Sequence, residues 1–579
     1  MRRRRPRFAP RAPRRPLPRA LAALLLCTGA AACSSVPPVP AGQDGSRPQP
    51  SASASGTPSP APEPDTAAYR RILPVPVSAR AAAAAFRIGP DTRIHVRAEE
   101  GTGEAETDRA ARVGDHLAGV LRPSTGYRLP LDRSPDPDGI VLSLEEGRDG
   151  ATAGLGAEGY RLTVTERAVT IRAARAAGLF HGVQTLRQLL PPAAEEDRRV
   201  PGPWTVPGGE VVDRPRYGYR GAMLDVARHF FTPARVRRYI DQLALYKVNH
   251  LHLHLTDDQG WRIAVDSRPE LTVKGASTSV GGGKGGYYTK AQYRALVRYA
   301  ADRHITVVPE IDMPGHTTAA LASYPELNCD GTAPPVYTGT QVGFSSLCVG
   351  RSSTYDFVED VVREVAELTP GRYLHIGGDE ADATTPADYA AFMERAQRIV
   401  RDHGKTVLAW HQLAAADPAE GAVVQYWGPA GRDAEQTAAA ARSGTRLILS
   451  PADHAYLDAK YDPGTKPGVT WMGNVEVRRA YDWDPAKLLP GAPASSVTGV
   501  EAPLWSETIR TGDDIEYMAF PRLTAVAEIG WSPASSHDWE SFRERLAAQA
   551  PRWKVLGIDY HRSPQVPWAA AQRPGTASP

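Results

Sequence analysis

From residue 213 onwards, short apolar segments alternate with stretches whose apolar residues recur at helical spacing. This alternation predicts parallel β-strands joined by helices, because two parallel strands need a long crossover connection between them. Eight such units over residues 213–566 predict an α/β fold, a (β/α)₈ TIM barrel. The predicted strands are 218–225, 249–256, 305–311, 372–378, 406–411, 422–427, 445–450 and 497–505.

Residues 68–212 have the pattern of a smaller domain that precedes the barrel. Tyr160, Leu162 and Val164 alternate with polar residues, and a second alternating run follows, which predicts a β-hairpin. Apolar residues between positions 179 and 190 then recur at helical spacing, so we expect a helix that packs against the sheet. We interpret this segment as a supporting α+β domain.

The first 33 residues have the pattern of a signal peptide. Nine arginines and no acidic residue occur in residues 1–19, an apolar run follows at 20–26, and three alanines precede Cys33. The apolar run is too short to cross a membrane as a helix. Cys33 either lies near an ordinary cleavage site or carries a lipid that anchors the exported protein to the outer face of the cell membrane. The small residues before it favour the anchor.

Residues 34–67 are rich in Ser, Pro, Ala and Gly, and they predict a disordered linker because they cannot bury enough apolar surface to fold. Residues 567–579 are predicted to be a C-terminal tail. The formal net charge of the chain is +3, but the arginines of the leader exceed that value, so the remainder is mildly acidic. This charge gives no reason to expect nucleic acid as a partner.

Only two cysteines, Cys329 and Cys348, lie in the part of the chain that is predicted to fold. An exported protein with two such cysteines is expected to pair them; the alternative is two separate buried thiols. Both lie in the longest connection of the predicted barrel, between its third and fourth strands. A disulfide there would stiffen a loop over the mouth of the barrel.

Polar and aromatic side chains accumulate at the carboxyl ends of the predicted strands. In a TIM barrel these ends meet at one face and form the active site. Carboxylates together with several tryptophans suit a sugar, because indole binds the apolar face of a pyranose while charged groups bind its hydroxyls. A phosphate site would instead need glycine-rich amides and more cations. The residues are Asp225, Arg228, Asp257, Asp258, Glu310, Asp312, His316, Asp379, Glu380, Trp410, His411, Tyr426, Trp427, Tyr456, Asp458, Trp505 and Glu507.

Five segments carry a resemblance to a known family: RGAMLDVARHF at 220–230, HLHLTDDQGW at 252–261, PEIDMPGH at 309–316, HIGGDE at 375–380 and LWSE at 504–507. In sequence and order they resemble the family 20 glycoside hydrolases, the β-N-acetylhexosaminidases. The resemblance runs from about residue 70 to 565. It implies retaining hydrolysis of terminal N-acetylhexosamine residues in glycans or chito-oligosaccharides, in which the 2-acetamido group of the substrate is the nucleophile. It implies no cofactor and no metal.

The resemblance also implies a role for each matching residue. Glu380 matches the general acid and base, and Asp379 matches the residue that binds the acetamido N–H group. Tyr456 matches a second ligand of that group, and Asp257 and His316 match a relay behind Glu380. The implied substrate-binding residues are the aromatic walls Trp410, Trp427 and Trp505 and the hydroxyl-binding residues Arg228, Asp458 and Glu507. Because the acid must be protonated, we expect activity to fall at alkaline pH.

Two other functions are compatible with parts of the sequence. His250, His252 and His254 alternate along the second strand, so they share one face, and such histidines in a barrel can bind a metal in a metal-dependent amidohydrolase or deacetylase. We favour histidines that are packed and hydrogen-bonded inside the barrel. The second alternative is an inactive glycan-binding lipoprotein, but a binding protein has no need for the adjacent acids Asp379 and Glu380.

Overall fold

The computed structural model describes residues 65–132, 138–145, 150–428 and 432–568, which belong to one compact unit. The predicted signal peptide, Cys33, nearly all of the predicted linker and nearly all of the predicted tail lie outside these ranges. Within the described ranges, no helix combines the length and the apolar character that crossing a membrane requires.

The N-terminal domain is a seven-stranded sheet that packs against two helices, α1 (Glu104–Thr125) and α2 (Ala176–Leu189). The predicted hairpin is confirmed, since β5 (Tyr160–Val164) and β6 (Ala168–Ala173) pair antiparallel with Leu162 opposite Ile171. A short 3₁₀ helix, Thr66–Arg70, includes the last two residues of the predicted linker. The strands are β1 (Ser78–Arg87), β2 (Ile94–Ala98), β3 (Leu131–Asp132), β4 (Gly139–Leu144), β5 (Tyr160–Val164), β6 (Ala168–Ala173) and β7 (Thr205–Asp213), in the order β1-β7-β5-β6-β4-β2-β3.

The second part of the chain is a closed barrel of eight parallel strands, which confirms the predicted fold class. All eight predicted strands are present. The fourth is shorter than predicted, because Gly377 and Gly378 have φ values of 64° and 95° and turn the chain away from the sheet. The barrel strands are β8 (Tyr219–Asp225), β9 (His250–His254), β12 (Thr306–Glu310), β13 (Tyr373–His375), β14 (Thr406–Trp410), β15 (Val423–Tyr426), β16 (Arg446–Leu449) and β17 (Val497–Ala502).

Helices between the strands cover the outside of the barrel, as expected for βα units. A two-residue ladder, β10 (Thr256–Asp257) with β11 (Gly260–Trp261), follows β9. The helices are α3 (Pro233–Leu245), α4 (Lys290–Ala301), α5 (Thr318–Ser323), α6 (Ser352–Leu368), α7 (Pro386–Asp402), α8 (Arg432–Arg442), α9 (Ala452–Ala455), α10 (Val477–Tyr481), α11 (Gly512–Ala519), α12 (Arg522–Trp531), α13 (Trp539–Ala547) and α14 (Ala550–Val555).

The interior of the barrel has an apolar layer near the amino ends of the strands and a charged layer above it. The apolar layer is a separate cluster of Tyr219, Val308, Leu408, Val423 and Ile448. Above it lie buried imidazoles and carboxylates of β9, β12 and β17. Because one end of the barrel is closed by hydrocarbon, substrate can reach the interior residues only from the carboxyl ends of the strands.

The connection between β12 and β13 is the longest in the barrel, and it contains α5, α6 and the predicted disulfide. Cys329 and Cys348 are bonded, with an S–S distance of 2.01 Å. This confirms the prediction of a pair rather than two separate thiols. The disulfide closes a loop that includes Thr340 and Val342, and both of these residues reach the mouth of the barrel.

A buried polar cluster joins the two domains at the point where the chain passes from one to the other. Asp213, the last residue of β7, receives hydrogen bonds from Tyr160 of the N-terminal sheet and from Trp531 of α12, at 2.8 and 2.9 Å. Its Oδ2 atom also lies 2.8 Å from Nζ of Lys247, and both side chains are fully buried. One carboxylate therefore satisfies donors from both domains.

Candidate active site

A cavity of about 550 Å³ opens at the carboxyl ends of the barrel strands. Its size is typical of sites for small molecules. The lining combines carboxyl groups, one guanidinium group and aromatic rings, as the sequence predicted for this face of the barrel. The lining residues are Arg228, Thr340, Val342, Asp379, Glu380, Trp427, Tyr456, Asp458, Val469, Trp471, Trp505, Glu507 and Thr508.

The two adjacent acids, Asp379 and Glu380, are placed by the turn that follows β13. A Cβ atom on Gly377 would lie 1.6 Å from Oδ1 of Asp312, so only glycine fits there. The same Oδ1 atom accepts a hydrogen bond from the Gly378 amide at 3.0 Å. Glu380 has a φ of 45°, in the left-handed region, which costs about 1–2 kcal/mol for a residue with a side chain. The turn therefore holds both acids in the cavity at some cost in backbone strain.

The environments of the two acids differ. The side chain of Asp379 is 9% exposed, whereas that of Glu380 is 35% exposed. Burial raises the pKa of Asp379 to about 6, and Glu380 adds to this effect while His316 opposes it. Oδ1 of Asp379 is buried and has no hydrogen-bond partner among the described residues. It is an acceptor in position for a donor on a ligand.

His316 lies directly behind the two acids. Its Nε2 atom is 3.4 Å from Oε2 of Glu380 and 3.8 Å from Oδ2 of Asp379. On the other side, Nδ1 is 3.3 Å from Oδ1 of Asp257. Burial alone would lower the pKa of His316, but Asp257 and Asp379 outweigh it and raise that pKa well above the usual value. The structure thus brings together the predicted relay of Asp257, His316 and Glu380.

One cation and two further carboxyl groups, those of Arg228, Asp458 and Glu507, also line the cavity. Arg228 is buried, and Asp257 and Asp225 raise its pKa despite the opposing effect of burial. Burial raises the pKa of Asp458 well above the usual value, with Glu507 adding to the effect. Burial also raises the pKa of Glu507, while Arg228 opposes that rise. These donors and acceptors are suited to bind the hydroxyl groups of a sugar.

Aromatic rings form the side walls of the cavity. Trp505 lies under the Arg228 guanidinium, which is 4.8 Å from the ring centroid. Trp427 and Tyr456 lie nearly perpendicular to Trp471, at centroid distances of 6.0 and 5.9 Å. Trp471 is 60% exposed and was missed by the sequence analysis, because it lies in an irregular segment well after the seventh strand. An unusually exposed tryptophan is visible only in the structure.

The structure places Trp410 differently from the prediction of an aromatic wall. Its side chain is fully buried and is not among the residues that line the cavity. Its indole N–H donates to Glu310 at 2.8 Å, and its ring packs at 5.8 Å behind that of Trp505. Because Trp410 ends β14 with its side chain directed into the barrel, it supports the wall from behind.

Two of the three histidines of β9, His252 and His254, lie between carboxylates. His254 donates to Glu310 from Nδ1 at 2.5 Å and to Asp257 from Nε2 at 2.8 Å. His252 lies between two carboxylates in the same way, with Glu501 2.9 Å from Nδ1 and Glu310 3.0 Å from Nε2. The two carboxylates raise the pKa of His252 to about 9 in spite of its burial. A protonated imidazole must lose a proton before it can bind a metal, and both rings are held by carboxylates, so the packed interpretation is favoured for His252 and His254.

A second cavity, of about 490 Å³, lies between the N-terminal domain and α3. No barrel strand ends there, and its lining contains neither tryptophan nor tyrosine. Each of its arginines is bonded to a carboxylate: Arg187 to Glu195, Arg238 to Glu516 and Arg303 to Asp241. The cavity at the mouth of the barrel combines two adjacent acids with aromatic walls, and we place the active site there.

Comparison with known proteins agrees with this geometry. The sequence model of the catalytic domain of glycosyl hydrolase family 20 matches residues 217–534, and that of domain 2 of the same family matches residues 69–214. A β-N-acetylhexosaminidase of Cellulomonas fimi is 46% identical over 422 residues, which cover 73% of this chain and 83% of the relative. A β-hexosaminidase of Akkermansia muciniphila is 34% identical, covering 71% of this chain and 88% of the relative.

Solved structures show the same relationship. The family 20 β-N-acetylhexosaminidase of Streptomyces coelicolor A3(2) superposes with a TM-score of 0.83 at 60% identity, covering 86% of this chain and 99% of that protein. A mutant Streptomyces plicatus β-hexosaminidase in complex with its product GlcNAc gives a TM-score of 0.82 at 61% identity, covering 86% and 98%. The catalytic-domain match alone spans more than half of the sequence, and the chain therefore belongs to glycosyl hydrolase family 20.

Proposed function

We propose that the protein is an exo-acting, retaining β-N-acetylhexosaminidase that removes terminal N-acetylglucosamine or N-acetylgalactosamine from the non-reducing ends of glycans or chito-oligosaccharides. The observation that carries the proposal is the adjacent pair Asp379 and Glu380 in a cavity that also contains Tyr456. Three other lining groups, Arg228, Asp458 and Glu507, are suited to bind the free hydroxyl groups of a terminal sugar. In an internal sugar, one of these hydroxyl groups is replaced by a bond to the next sugar, so the site favours the sugar at the end of a chain.

The first step of the proposed reaction forms a ring within the substrate. The carbonyl oxygen of the 2-acetamido group attacks the anomeric carbon, the bond to the leaving oxygen breaks, and that oxygen takes the proton of Glu380. The product is a cyclic oxazolinium ion. In the second step Glu380 takes a proton from water, and the water oxygen bonds to the anomeric carbon and opens the ring. Two displacements at one carbon give net retention of configuration.

Asp379 and Tyr456 act on the acetamido group in this scheme. The unpartnered Oδ1 atom of Asp379 is suited to accept the acetamido N–H. The same carboxylate, when ionised, stabilises the positive charge that develops on the ring. Burial holds the pKa of Tyr456 well above its usual value, so its hydroxyl group keeps its proton and can donate to the acetamido oxygen. Together they orient the nucleophile for attack.

The leaving group provides the main test of these roles. Glu380→Gln is expected to lower turnover of N,N′-diacetylchitobiose by about 10²–10⁴-fold, since its leaving group needs a proton. A dinitrophenyl glycoside needs little protonation, and we expect a much smaller loss with it. Asp379→Asn is expected to impair both substrates alike, because the attacking acetamido group is common to them. If both variants hydrolyse both substrates at the wild-type rate, the assigned roles are wrong.

Participation of the acetamido group has its own test. A thiazoline analogue of the cyclic intermediate is expected to inhibit much more strongly than the product sugar, because it resembles a high-energy state. An unsubstituted β-glucoside lacks the nucleophile and is expected to be a very poor substrate. Equal hydrolysis of aryl β-glucoside and aryl N-acetyl-β-glucosaminide would refute the proposal.

The two alternatives make opposite predictions. A metal-dependent amidohydrolase would lose activity after exhaustive treatment with a chelator, whereas we expect full activity to remain. An inactive glycan-binding protein would release no sugar from any substrate, and the intact pair of Asp379 and Glu380 argues against it. Neither alternative explains why a proton donor lies beside an acceptor for an amide N–H.

We also propose that the protein is exported and attached to the outer face of the cell membrane through a lipid on Cys33. The support is the sequence alone, namely the arginine-rich leader, the alanines before Cys33 and the linker after it. Mass spectrometry of the mature amino terminus tests the proposal. Cys33→Ala is expected to move the protein from the membrane fraction to the soluble fraction, and an unmodified terminus in the wild type would refute the anchor.

A further inference from the structure

Glu310 occupies a central position beneath the cavity. It is the last residue of β12, its side chain is fully buried, and it is not among the residues that line the cavity. Its Oε1 atom accepts a hydrogen bond from the indole of Trp410 at 2.8 Å. Its Oε2 atom accepts one from Nδ1 of His254 at 2.5 Å and lies 3.0 Å from Nε2 of His252. One carboxylate thus connects the side chains of β9, β12 and β14.

A continuous path of alternating imidazoles and carboxyl groups leads from Glu310 to the acid Glu380. Nε2 of His254 lies 2.8 Å from Oδ2 of Asp257. The other oxygen of Asp257 lies 3.3 Å from Nδ1 of His316. Nε2 of His316 in turn lies 3.4 Å from Oε2 of Glu380. Every step of the path is a close contact between a ring nitrogen and a carboxyl oxygen.

The middle of the path has little freedom. His254 has a carboxylate at each ring nitrogen, so both of its N–H groups are donated and the ring cannot turn without losing a hydrogen bond. Arg228 Nη1 also lies 3.3 Å from Nε2, but the nearer neighbour of Nε2 is Oδ2 of Asp257. Burial lowers the pKa of His254, yet Glu310 and Asp257 outweigh it and hold that pKa well above the usual value.

Asp257 has two competing cationic partners for the same oxygen. Its Oδ2 atom lies 2.8 Å from Nη2 of Arg228 as well as 2.8 Å from His254. Because Arg228 and His254 both lie at Oδ2, the other oxygen, Oδ1, is the one that faces His316. Loss of the charged His254 would leave Arg228 as the remaining cation at Oδ2, and the carboxylate would shift toward the guanidinium, although the Asp258 amide still donates to Oδ1 at 2.6 Å. His316 would then lose the contact that fixes it beside Glu380.

We infer that Glu310 is a positioning residue for the reaction, which acts through His254 and Asp257 to hold His316 against the general acid Glu380. Glu310 itself touches no substrate. The inference rests on the role proposed for Glu380, and it extends the relay of Asp257 and His316 by two residues into the interior of the barrel. It gives a function to a buried charge that the chemistry does not use directly.

The leaving group separates this role from a purely structural one. If Glu310 acts on the general acid, Glu310→Gln lowers kcat/KM for N,N′-diacetylchitobiose by about tenfold, a part of the 10²–10⁴-fold that an acid contributes. The dinitrophenyl glycoside, which needs little protonation, then loses less than about twofold. If Glu310 instead only stabilises the barrel, its loss would disturb the whole cavity and lower kcat/KM for N,N′-diacetylchitobiose and for the dinitrophenyl glycoside by the same factor. Equal loss with the two substrates would overturn the inference.

A double-mutant cycle gives the second readout. In a Glu380→Gln background the acid is already absent, so we expect Glu310→Gln to have little further effect on the ratio of the two rates. Effects that multiply would show that Glu310 acts independently of Glu380 and would overturn the inference. The proposed function fails in a different way, namely if Glu380→Gln alone leaves the ratio of the two rates unchanged.

Glu501→Gln is the matched control. Glu501 is also fully buried inside the barrel, and it accepts hydrogen bonds from His252, Gln425 and Tyr219 at 2.9, 2.7 and 2.6 Å. His252 lies between Glu501 and Glu310, but neither Glu501 nor His252 is a step of the path to Glu380, so the loss of Glu501 is expected to change the ratio of the two rates much less than Glu310→Gln does. A change in that ratio as large as that caused by Glu310→Gln would overturn the inference.

A second variant covers the case in which Glu310→Gln does not fold. His254→Gln combined with Glu310→Gln removes one positive and one negative charge, so no net charge is left unbalanced in the interior. The path to Glu380 is interrupted in this variant too, and we expect the same selective loss with N,N′-diacetylchitobiose. Circular dichroism and thermal unfolding establish that each variant is folded before rates are compared.

Discussion

Asp379 is the group whose titration we expect to limit activity at acid pH. Burial raises its pKa to about 6, and the proposed mechanism requires the ionised form. A group with a pKa of about 6 is about 90% ionised at pH 7 and about 10% ionised at pH 5. We therefore expect kcat/KM to fall about tenfold between these two pH values. A carboxyl group with the ordinary pKa of Asp would remain about 90% ionised at pH 5 and would cause almost no loss.

The charge of His316 sets where this loss begins. Asp257 and Asp379 hold the pKa of His316 well above its usual value, so we expect the ring to be protonated, and its Nε2 atom is 3.8 Å from Oδ2 of Asp379. At an effective dielectric constant of about 20, two unit charges about 4 Å apart attract each other by about 4 kcal/mol, or about three pKa units. His316→Gln removes this attraction, which favours the ionised form of Asp379. We expect the midpoint of the acid loss to move to higher pH by about one to three units.

The assay is the initial rate with an aryl N-acetyl-β-glucosaminide far below KM, measured from pH 4 to 9 after a check that the protein stays folded over this range. Asp379→Asn, which cannot titrate at this position, is the control and is expected to show no acid loss with this midpoint. A flat wild-type profile between pH 7 and 5 would refute the reasoning. A midpoint that moves to lower pH in His316→Gln would refute it as well.

Three further outcomes follow from the structure. Asp213→Asn leaves Lys247 buried without its counter-ion, so we expect a loss of about 3–5 kcal/mol in the free energy of unfolding, measured in urea; a change below 1 kcal/mol would contradict the role of this pair. Replacing Cys329 and Cys348 by Ser removes a disulfide with a sequence separation of 19, and we expect the free energy of unfolding to fall by about 3 kcal/mol in a denaturation experiment. We also expect a higher KM, because Thr340 and Val342 are then less firmly held at the cavity. Trp471→Ala removes an exposed wall, so we expect KM to rise while the ratio of rates for good and poor leaving groups stays constant in steady-state kinetics; a change in that ratio would show that Trp471 acts on the proton transfer.

The carboxyl ends of the barrel strands were the part of the site that could be predicted from the sequence. The predicted strands are short, so the polar and aromatic residues that follow each of them mark the strand end, and in a parallel barrel all strand ends meet. Asp379, Glu380 and Glu507 lie at such strand ends, Asp458 follows the seventh strand at a greater distance, and all four line the cavity. The fold class follows from the same alternation of strands and helices. These predictions depend only on local spacing, which is why they hold.

The residues on irregular segments could not be predicted in the same way. Thr340, Val342 and Trp471 reach the cavity because long connections fold back over the mouth, and their positions depend on tertiary contacts rather than on local spacing. The burial of Trp410 also depends on a distant partner, since Glu310 on a neighbouring strand holds its indole N–H. The histidines of β9 show the same limit, because the carboxylates that contact them, Glu310 and Glu501, lie on strands that are distant in the sequence. The alternation of histidines along β9 alone therefore resembles a metal site.

The partial exposure of Glu380 has a consequence for the range of products. Its side chain is 35% exposed while that of Asp379 is 9% exposed, so the cyclic intermediate is sheltered on the amide side and open to the medium on the other. Any small alcohol or sugar dissolved there competes with water for the activated carbon. We expect such acceptors at high concentration to be glycosylated with retention, so that the protein also builds new β-linkages when water is scarce.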